Sequence, residues 1–574
     1  MRASNLAGRM RRDRTRRVAS GAVVVLAVAG ILSALAPPLR GRLDPLLDVL
    51  PLGVPLGAQT VLIPVSVALL LLARGLRLGV RQAWAVATGL LLVSVALHVL
   101  KGIDLPEAVL DLLLAGWLSV QVGAFPVRVN RAHARRSLLM LAGGAVVTVA
   151  VCSGLVVLVG TWRHPRETVV AVVQRLIGVR EEPLDRLRGG HGGALTPMVT
   201  PALLALGLCL IVLLLWAVFA PRSAPELTVP QQGAARERAR AIVTEHGGDT
   251  LDYFALRDDK DYFFGEESTG GLVAYSVRRG VCLVSPDPIG PPARRGALLA
   301  EFLAFVEEHG WAVAVVGARE EWLPLYEAAR LRPVYLGDEA ILDCPGFSLQ
   351  GSRMKGLRGA VNRVRKAGVE VTFHDPATMT PEESADVLAM AGESRQGPAE
   401  RGYSMTLSRL FDPADTGLLL SVARFADGRP AGFIQWVPAA GIDGYSLDVM
   451  RRSTEDGVPN GLTDFLIVAT AEHLAGRGMR GLGLNFAVLR EIVAGERAGR
   501  IAEVGRRVLH TLSRRSQIES LWKFNAKYDP QWRARYVILD ALDSAAAQSL
   551  AIAEAEGITE LPGIGRVLRR PTAS

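Results

Sequence analysis

Long apolar runs dominate the first 220 residues of the chain. Six of them reach or approach the roughly 20 residues that a helix needs to cross a bilayer. They lie at about 18–36, 56–73, 83–100, 106–125, 138–161 and 199–220. The first run is too long for the apolar part of a cleaved signal peptide, and further runs follow it. The pattern predicts a multi-pass α-helical membrane domain over residues 1–221.

An α/β pattern follows a linker at 222–240. Strand-like GLVAYSVRRGVCLV precedes a Gly/Pro break, the helix-like RRGALLAEFLAFVEEHG and the buried strand WAVAVVGA. A similar order returns with the hairpin GLLLSVARFADGRPAGFIQWVPA, the strand GYSLDVMRR, the helix NGLTDFLIVATAEHLAGRG and the strand MRGLGLNFA. The repetition predicts a mixed α/β fold of two similar lobes, 241–375 and 376–574.

Loop charges predict how the membrane domain is oriented. The N-terminal tail MRASNLAGRMRRDRTRR, the second connection RGLRLGVR and the fourth, VRVNRAHARR, are strongly basic. Positive charge favours the cytoplasmic side, and long loops such as 162–198 weigh little in this rule. We therefore expect a plasma-membrane protein with its N-terminus and C-terminal half in the cytoplasm.

The sequence gives no reason to expect a metal or a cofactor. The chain has four cysteines and nine histidines. No CxxC pair or HExxH motif is present, which argues against a disulfide framework or a zinc site. Asp111, inside the fourth apolar run, is either an intramembrane functional acid or an acid near a helix end that reaches the interface.

The stretch RMKGLRGAVNRVRKAG, 353–368, predicts a helix with one apolar and one cationic face. The apolar positions are Leu357, Val361 and Val364. At helical spacing the opposite face groups polar side chains without an acid, namely Lys355, Arg358, Asn362, Arg365 and Lys366. Such a face suits a polyanion such as RNA or an anionic headgroup, and the alternative is a solvated surface.

The strand SLDVMRR holds an acid in an unusual place. Aspartate is depleted in strands. Alternation puts Asp448 on the same face as Ser446 and Met450, with Arg451 and Arg452 following. The carboxylate could bind an ammonium group or orient the arginines, and an internal salt bridge is the alternative.

Two neighbouring features are weaker signals by themselves. Asn460 stands at the start of a helix whose free backbone N–H groups could cradle an anion. ERGYSM places Glu400 close to Tyr403.

Aromatic and basic side chains crowd the stretch LWKFNAKYDPQWRARY, residues 521–536, called the basic-aromatic segment below. Its rings belong to Trp522, Phe524, Tyr528, Trp532 and Tyr536, and its cations to Lys523, Lys527, Arg533 and Arg535. Rings stack on splayed bases and cations meet phosphates. The alternative is a docking segment with core aromatics and basic side chains whose stems lie along the surface.

Several of these motifs together resemble a known family. SLDVMRR, PNGLTDFL, LGLNFA and QIESLWKFNAKYDPQWRARYVI, with DYFALRDDKDYFF and SPDPIGP earlier, resemble the phosphatidylglycerol lysyltransferase (MprF-type) family. The likeness covers most of residues 240–560 and is closest to the form elsewhere fused to a lysyl-tRNA synthetase.

The resemblance implies two tandem acetyltransferase-like (GNAT) lobes on a membrane anchor. It implies transfer of an amino acid from aminoacyl-tRNA to a glycerol hydroxyl of phosphatidylglycerol in the inner leaflet. By the same resemblance Glu400 and Asp448 hold the aminoacyl group, with Arg451 alongside. The substrate-binding residues that we predict are Lys355, Arg358, Tyr403, Asn460, Lys523, Lys527, Trp532 and Arg535.

The amino acid and the role of the membrane half are less defined. We expect lysyl-tRNA as the donor. The product would be a more cationic lipid that gives resistance to cationic peptides. However, acids that bind the lysine side chain would also bind any α-amine. No synthetase domain follows, so we expect aminoacyl-tRNA from the general cytoplasmic pool. No histidine is placed by motif as a general base, and the substrate's own α-amine is an alternative.

Two other functions are compatible with the sequence. One is a lipid flippase or transporter with a regulatory soluble domain, for which Asp111 is the main support. Only six predicted spans precede the transferase, whereas the full family form has more. This difference argues against the flippase function. The other is an aminoacyl-tRNA transferase acting on another acceptor, such as a peptidoglycan precursor. A homo-oligomer is compatible with the sequence, which does not set the oligomeric state.

Overall fold

The structure is a computed structural model that describes residues 2–35, 53–102, 104–127, 228–266, 269–393, 402–455, 457–488, 522–540 and 545–556. Backbone contacts divide the chain into two compact units. The first comprises Met1–Arg222 with Phe305–Trp311, and the second comprises Ser223–Ala304 with Ala312–Ser574. The break at Arg222 separates the apolar part of the sequence from the α/β part.

Four α-helices lie within residues 2–120 of the first unit. They are α1 (Arg2–Leu35), α2 (Gly53–Arg77), α3 (Arg81–Gly102) and α4 (Leu105–Val120). Small side chains such as Ala19 and Ala83 are fully buried where the helices pack together. Helix α4 begins after Asp104 with Pro106 in its first turn, where the missing N–H costs no intrahelical hydrogen bond.

Two of these helices contain stretches that are long and apolar enough to cross a membrane. The stretches are Arg11–Ser33 and Arg81–Leu100, judged by length and composition. The first four predicted runs overlap α1, α2, α3 and α4 in turn. The fifth and sixth, at 138–161 and 199–220, lie outside the described residues. The number of membrane crossings therefore stays a prediction.

The helices that follow, and one large mixed sheet, give the rest of the described chain an α/β architecture. The helices are α5 (Val229–His246), α6 (Arg295–His309), α7 (Leu323–Ala328), α8 (Lys355–Lys366), α9 (Pro381–Glu393), α10 (Leu462–Gly476) and α11 (Ala545–Ala555). The strands are β1 (Asp261–Phe264), β2 (Leu272–Arg278), β3 (Val281–Val284), β4 (Ala312–Arg319), β5 (Arg332–Asp343), β6 (Glu370–His374), β7 (Leu419–Arg424), β8 (Pro430–Ala439), β9 (Gly444–Arg452), β10 (Gly481–Val488) and β11 (Gln531–Leu539). Their order in the sheet is β1-β2-β3-β4-β11-β5-β10-β9-β8-β7-β6.

The two halves of the sheet follow one plan. In the first half β1, β2 and β3 are antiparallel neighbours, and β4 is parallel to β3. In the second half β7, β8 and β9 are antiparallel neighbours, and β10 is parallel to β9. Helices α6 and α10 make the crossovers that parallel pairs require. The order of strands and helices predicted from the sequence is therefore present twice.

Strands β5 and β11 lie side by side at the centre of the sheet. β11 pairs with β4 on one side and with β5 on the other, and β5 also pairs with β10. The second part of the basic-aromatic segment is thus a central strand. Its partners are far away along the chain, so local sequence patterns do not reveal the pairing.

Helix α8 and strand β6 belong to the second half of the sheet. β6 pairs with β7 at the edge. The apolar face predicted for α8 is buried, with Leu357, Val361 and Val364 packed in the same core cluster as α10. Residues 355–374, which the sequence analysis placed in the first lobe, therefore pack with the second half.

Glycines fix two close approaches around β10 and α10. A Cβ on Gly444 would lie 1.8 Å from the carbonyl oxygen of Gly481, where β9 and β10 run side by side. Gly461 precedes α10 with φ of +100°, and a Cβ there would lie 2.8 Å from Cβ of Ala360 on α8. Glycine is the residue that tolerates both conditions.

The parallel pair β9–β10 is short and then opens. It spans Gly444–Ser446 opposite Gly481–Gly483. Beyond these residues β9 continues along β8 and β10 continues along β5. Openings at the carboxyl ends of parallel strands are common ligand sites in α/β proteins.

Candidate active site

Asp448 lies two residues beyond the last β9–β10 pair, at an irregular point of the β8–β9 ladder. Trp436 pairs with Leu447, and Gln435 pairs with Val449. Asp448 is therefore an extra residue on β9, which is a β-bulge. Bulges re-aim side chains and are common next to active sites.

The bulge changes which side chains share the face of Asp448. Alternation predicts Met450 beside it, yet Met450 packs against the hydrophobic core on the opposite face. Arg451 pairs with Phe433, two residues from the Gln435 that Asp448 contacts. Asp448 and Arg451 thus lie on the same side of the sheet, although simple alternation over three positions would separate them.

Both oxygens of the Asp448 carboxylate accept a hydrogen bond from a neutral donor. The backbone N–H of Leu407 donates to Oδ1 at 2.9 Å, and Nε2 of Gln435 donates to Oδ2 at 2.7 Å. The residue is only 3% exposed. Burial raises the pKa of Asp448 to about 7, against the lowering effect of the two hydrogen bonds. The carboxylate is therefore poised between its charged and neutral forms at physiological pH.

The loop that carries Leu407 also carries Tyr403, and both are buried. The Tyr403 hydroxyl donates to the carbonyl oxygen of Leu283 at 2.9 Å, and Lys260 Nζ lies 4.6 Å from the centre of its ring. Tyr403 therefore uses both ring and hydroxyl inside the domain, and its contact with substrate stays a prediction. Glu400 lies outside the described residues.

Arg451 and Asn460 mark the two ends of the loop between β9 and α10. Arg451 is half-buried, and its Nη1 donates to the carbonyl oxygen of Met450 at 2.9 Å. Asn460 is exposed, directly before Gly461 and the first turn of α10. Their roles in catalysis and substrate binding stay predictions.

The predicted cationic face of α8 is on the surface, but its members differ. Lys355 is exposed at the start of the helix. Arg358 is half-buried and donates through Nη1 to the carbonyl oxygens of Leu349 at 2.5 Å and Gly351 at 3.3 Å. Arg358 thus holds the loop that precedes its own helix, whereas Lys355 extends into solvent.

The first part of the basic-aromatic segment lies against the first turn of α10. Lys527 forms an ion pair with Asp464, and the Tyr528 hydroxyl donates to the same carboxylate. Lys527 Nζ also lies 4.0 Å from the centre of the Phe524 ring. Lys523 is exposed. The predicted cation Lys527 is thus anchored within the fold.

The second part of the segment is structural. Trp532 on β11 is half-buried and packs against the main core cluster of the second half. Arg535 is 2% exposed and donates to both oxygens of Asp249, at 2.7 and 2.6 Å. It also donates to Glu339 Oε2 at 3.0 and 2.6 Å, and to the oxygens of Gly317 and Thr250.

All N–H groups of Arg535 are used by these contacts. Burial alone would lower the pKa of Arg535, but the carboxylates of Asp249 and Glu339 hold it well above its usual range. The guanidinium therefore serves as the buried centre of an ion cluster. The structure gives Arg535 a structural role, and its predicted contact with substrate stays a prediction.

Two polar residues of the site were not found from the sequence. Gln435 is fully buried and bonded to Asp448. Asp464 receives Lys527 and Tyr528. For Gln435 the sequence signal was a lone glutamine within the apolar strand GFIQWVPA. For Asp464 there was no usable signal, because an acid in the first turn of a helix is common.

Comparison with known families gives two matches along the chain. Residues 240–539 match the model described as "Phosphatidylglycerol lysyltransferase, C-terminal". Residues 11–216 match the model described as "Transmembrane region of lysyl-tRNA synthetase". The first match contains all the described site residues above and the whole sheet. The two matches describe a membrane-associated protein with an α/β transferase domain.

The chain belongs to the phosphatidylglycerol lysyltransferase family. It is 34% identical over 510 residues to the lysylphosphatidylglycerol biosynthesis bifunctional protein LysX of Rhodococcus opacus (strain B4), covering 86% of this chain and 44% of that protein. It is 33% identical over 513 residues to the protein of the same name from Mycobacterium avium (strain 104), covering 87% of this chain and 43% of that protein. The chain thus spans less than half the length of these relatives.

Comparison with solved structures gives matches at lower sequence identity. L-PGS from Bacillus licheniformis is 23% identical with a TM-score of 0.49, covering 56% of this chain and 96% of that one. A tandem GNAT protein from the clavulanic acid biosynthesis pathway is 14% identical with a TM-score of 0.29, covering 56% of this chain and 97% of that one.

Proposed function

We propose that this protein transfers an amino acid, lysine by preference, from aminoacyl-tRNA to a glycerol hydroxyl of phosphatidylglycerol. The observation that carries the proposal is the buried Asp448 at the β9 bulge, inside the region that matches the lysyltransferase family. The repeated strand order of the sheet supports two tandem acetyltransferase-like lobes.

The chemistry requires little beyond positioning. The aminoacyl ester of tRNA is already activated, so bringing a lipid hydroxyl against its carbonyl carbon supplies much of the rate. The transition state then needs hydrogen-bond donors for the developing oxyanion. Arg451 and the first backbone N–H groups of α10 are the donors that we assign to this task.

Asp448 is the residue that we assign to the aminoacyl group. Its carboxylate lies deep beside the opening between β9 and β10, where an ammonium group would meet a negative charge in a low dielectric. An arriving cation favours the charged form, so binding would lower the raised pKa of Asp448.

Cations around α8 and α10 are assigned to the polyanionic parts of the substrates. Lys355, Lys366 and Lys523 are exposed, on or next to elements that pack together through Leu357 and Tyr528. Exposed cations of this kind bind RNA phosphates with strong salt dependence. Arg358 and Lys527 support this surface by ordering the segments that carry it.

The membrane half would hold the transferase at its lipid substrate. We propose a multi-pass anchor with the N-terminus and the α/β domain in the cytoplasm, supported by the basic N-terminal tail and connections. Aminoacyl-tRNA and inner-leaflet phosphatidylglycerol meet on that side. A lysylated product would weaken the attraction of cationic peptides to the membrane.

The test is transfer by the full chain in lipid vesicles. Purified protein receives phosphatidylglycerol with lysyl-tRNA or alanyl-tRNA, and the extracted lipids are examined for ninhydrin-positive product. We expect product that disappears after ribonuclease treatment and in Asp448→Ala. Peptidoglycan precursors in parallel reactions identify a different acceptor. Absence of aminoacylated lipid with both tRNAs would contradict the proposal.

A second candidate function, lipid translocation, has one observation in its favour. Asp111 is buried among the first-unit helices, with Oδ2 3.9 Å from His98 Nε2. Buried ionisable groups at membrane depth often mark transport pathways. Headgroup translocation in proteoliposomes without tRNA, lost in Asp111→Asn, would support this function.

A further inference from the structure

The carboxylate of Asp448 is in direct contact with neutral donors in the described structure. It forms no ion pair with a lysine or arginine of the described ranges, and its donors Leu407 N–H and Gln435 Nε2 are neutral. The charge of Arg409 acts on Asp448 and lowers its pKa, but the Arg409 guanidinium is itself paired with Asp415 at 2.6 Å and with Asp258 at 2.9 Å. A buried carboxylate without a counter-charge is unusual in a folded protein.

Gln435 adds a second unmatched acceptor at the same place. Its Nε2 donates to Asp448 Oδ2 at 2.7 Å and approaches the carbonyl oxygen of Arg409 at 3.4 Å. The reverse orientation would set Oε1 against the carbonyl oxygen of Arg409 and against the charged form of Asp448, so we assign the amide this way. Oε1 is buried and has no hydrogen-bond partner among the described residues. Buried acceptors are rarely left unpaired.

Both acceptors lie at the β-bulge, where the register between β8 and β9 shifts. The bulge on β9 places Asp448 beside Gln435 of β8, just beyond the last β9–β10 pair at Ser446 and Gly483. When Asp448 is charged, the combination is one negative charge, two acceptor groups with spare lone pairs, and no free donor between Gln435 and Asp448. A compact cation with several N–H groups complements it.

We propose that Gln435 is a substrate-binding residue whose Oε1, together with the Asp448 carboxylate, receives a primary ammonium group of the aminoacyl substrate. The inference rests on the proposed function and adds to it Gln435 as a residue that binds the amine. The ammonium has two sources in a lysyl group, the α-amine and the ε-amine. Their shared chemistry fits the acceptor pair.

Direct binding tests the proposal without requiring turnover. The full chain in detergent is titrated by calorimetry with alaninamide, which carries an α-ammonium, and with 6-aminohexanamide, which carries a terminal one. We expect one or both to bind. The amide that binds shows whether the site accepts the α-ammonium or the terminal ammonium. Gln435→Met, which keeps a similar volume without the acceptor, should weaken that binding about ten- to a hundredfold.

A conservative variant separates recognition from folding. In Gln435→Glu a protonated carboxyl can donate to Asp448 and still offer an acceptor, so binding should be closer to the wild type than in Gln435→Met. Thermal unfolding of both variants reports whether the domain stays folded. Propionamide, the uncharged analogue of alaninamide, should bind no better than background in either.

Three outcomes overturn the proposal. They are failure of both amides to bind the wild-type chain, equal affinity of a folded Gln435→Met for them, and a folded Gln435→Glu that binds no better than Gln435→Met. A buried water on Oε1 would explain the second and third results. Failure of the transferase assay with intact amide binding would instead count against the proposed function alone.

Discussion

The carboxylate of Asp448 accepts a hydrogen bond of 2.9 Å from the backbone N–H of Leu407, 41 positions earlier in the chain. The contact fastens the loop after residue 402 to the bulge of β9. The segment just after the motif ERGYSM therefore meets the motif SLDVMRR in the fold.

Asp448→Asn should change how stability depends on pH. The folded protein binds a proton at Asp448 up to about pH 7, whereas the unfolded chain releases it near the ordinary value of 3.8. Between these values the folded state holds more protons, so the contribution of Asp448 to stability falls as pH rises. The variant lacks this loss and should gain on the order of 3 kcal/mol over wild type between pH 4 and pH 8.

Unfolding of both proteins in denaturant at several pH values measures this difference. Transfer activity should fall in the same variant, because a buried partner of a bound charge is worth about 2–5 kcal/mol. Parallel stability curves for the two proteins from pH 4 to pH 8 would show that Asp448 does not titrate as described.

Arg535→Met should destabilise the α/β domain. It leaves Glu339 buried without Arg535 and leaves Asp249 with the more distant Arg319 at 3.6 Å, and breaking a buried pair typically costs about 3–5 kcal/mol. Arg533→Met on the same strand is the matched control, because Arg533 is exposed and should change stability by less than about 0.5 kcal/mol. Urea unfolding followed by tryptophan fluorescence measures both, and equal midpoints would contradict the structural role of Arg535.

Gly461→Ala should loosen the packing of α8 on α10. The new Cβ would lie 2.8 Å from Cβ of Ala360, and φ is +100°. Gly457 has a similar φ of +98°, and a Cβ there would have no atom of the described residues within 4 Å, so Gly457→Ala isolates the backbone strain. We expect about 1 kcal/mol of destabilisation at Gly457 and a further 1–3 kcal/mol or so at Gly461.

Thermal unfolding distinguishes the two glycines. The Gly461 variant should also bind aminoacyl-tRNA more weakly, because α8 and the start of α10 carry the assigned cations and donors. Equal losses of stability in the two variants would mean that the contact with Ala360 relaxes at little cost.

Reversing charge on the exposed side of α8 should weaken RNA binding. In Lys355→Glu with Lys366→Glu, both positions are exposed, so the fold should be kept. Each lost phosphate contact lowers the salt slope of binding by roughly 0.7–0.9. Arg294→Glu with Arg330→Glu is the control, with the same change in net charge at two exposed positions outside α8.

Aminoacyl-tRNA binding measured from low to moderate salt gives both slopes. Identical slopes for the two double variants would mean that RNA responds to net charge alone. The interpretation of α8 as a solvated face would then be preferred.

Much of the fold follows from local patterns in the sequence. The hairpin β7–β8, the helices α6 and α10 and the strands β4, β9 and β10 stand where periodicity predicts them, because each buries an apolar face set by its own spacing. The buried face of α8 was predicted for the same reason. Local patterning alone also indicated the division at about residue 221.

Long-range pairing decided what the local patterns left open. In the basic-aromatic segment, Lys523 and Arg535 are both cations among aromatic rings, and the sequence predicts the same role for both. Pairing of β11 with β4 and β5 buries Arg535 between two carboxylates, whereas Lys523 stays exposed. Burial and ion pairing depend on strands brought from elsewhere in the chain, so residue type and spacing cannot distinguish the two roles.

The site divides in the same way. The sequence by itself determined that Asp448 stands in a strand followed by arginines, an arrangement that already indicated a pairing role. Only the tertiary structure decided its surroundings. A one-residue bulge places Asp448 beside Gln435, and a distant loop supplies the N–H of Leu407. A bulge depends on the register between two strands, and register is set by cross-strand packing that no single segment contains.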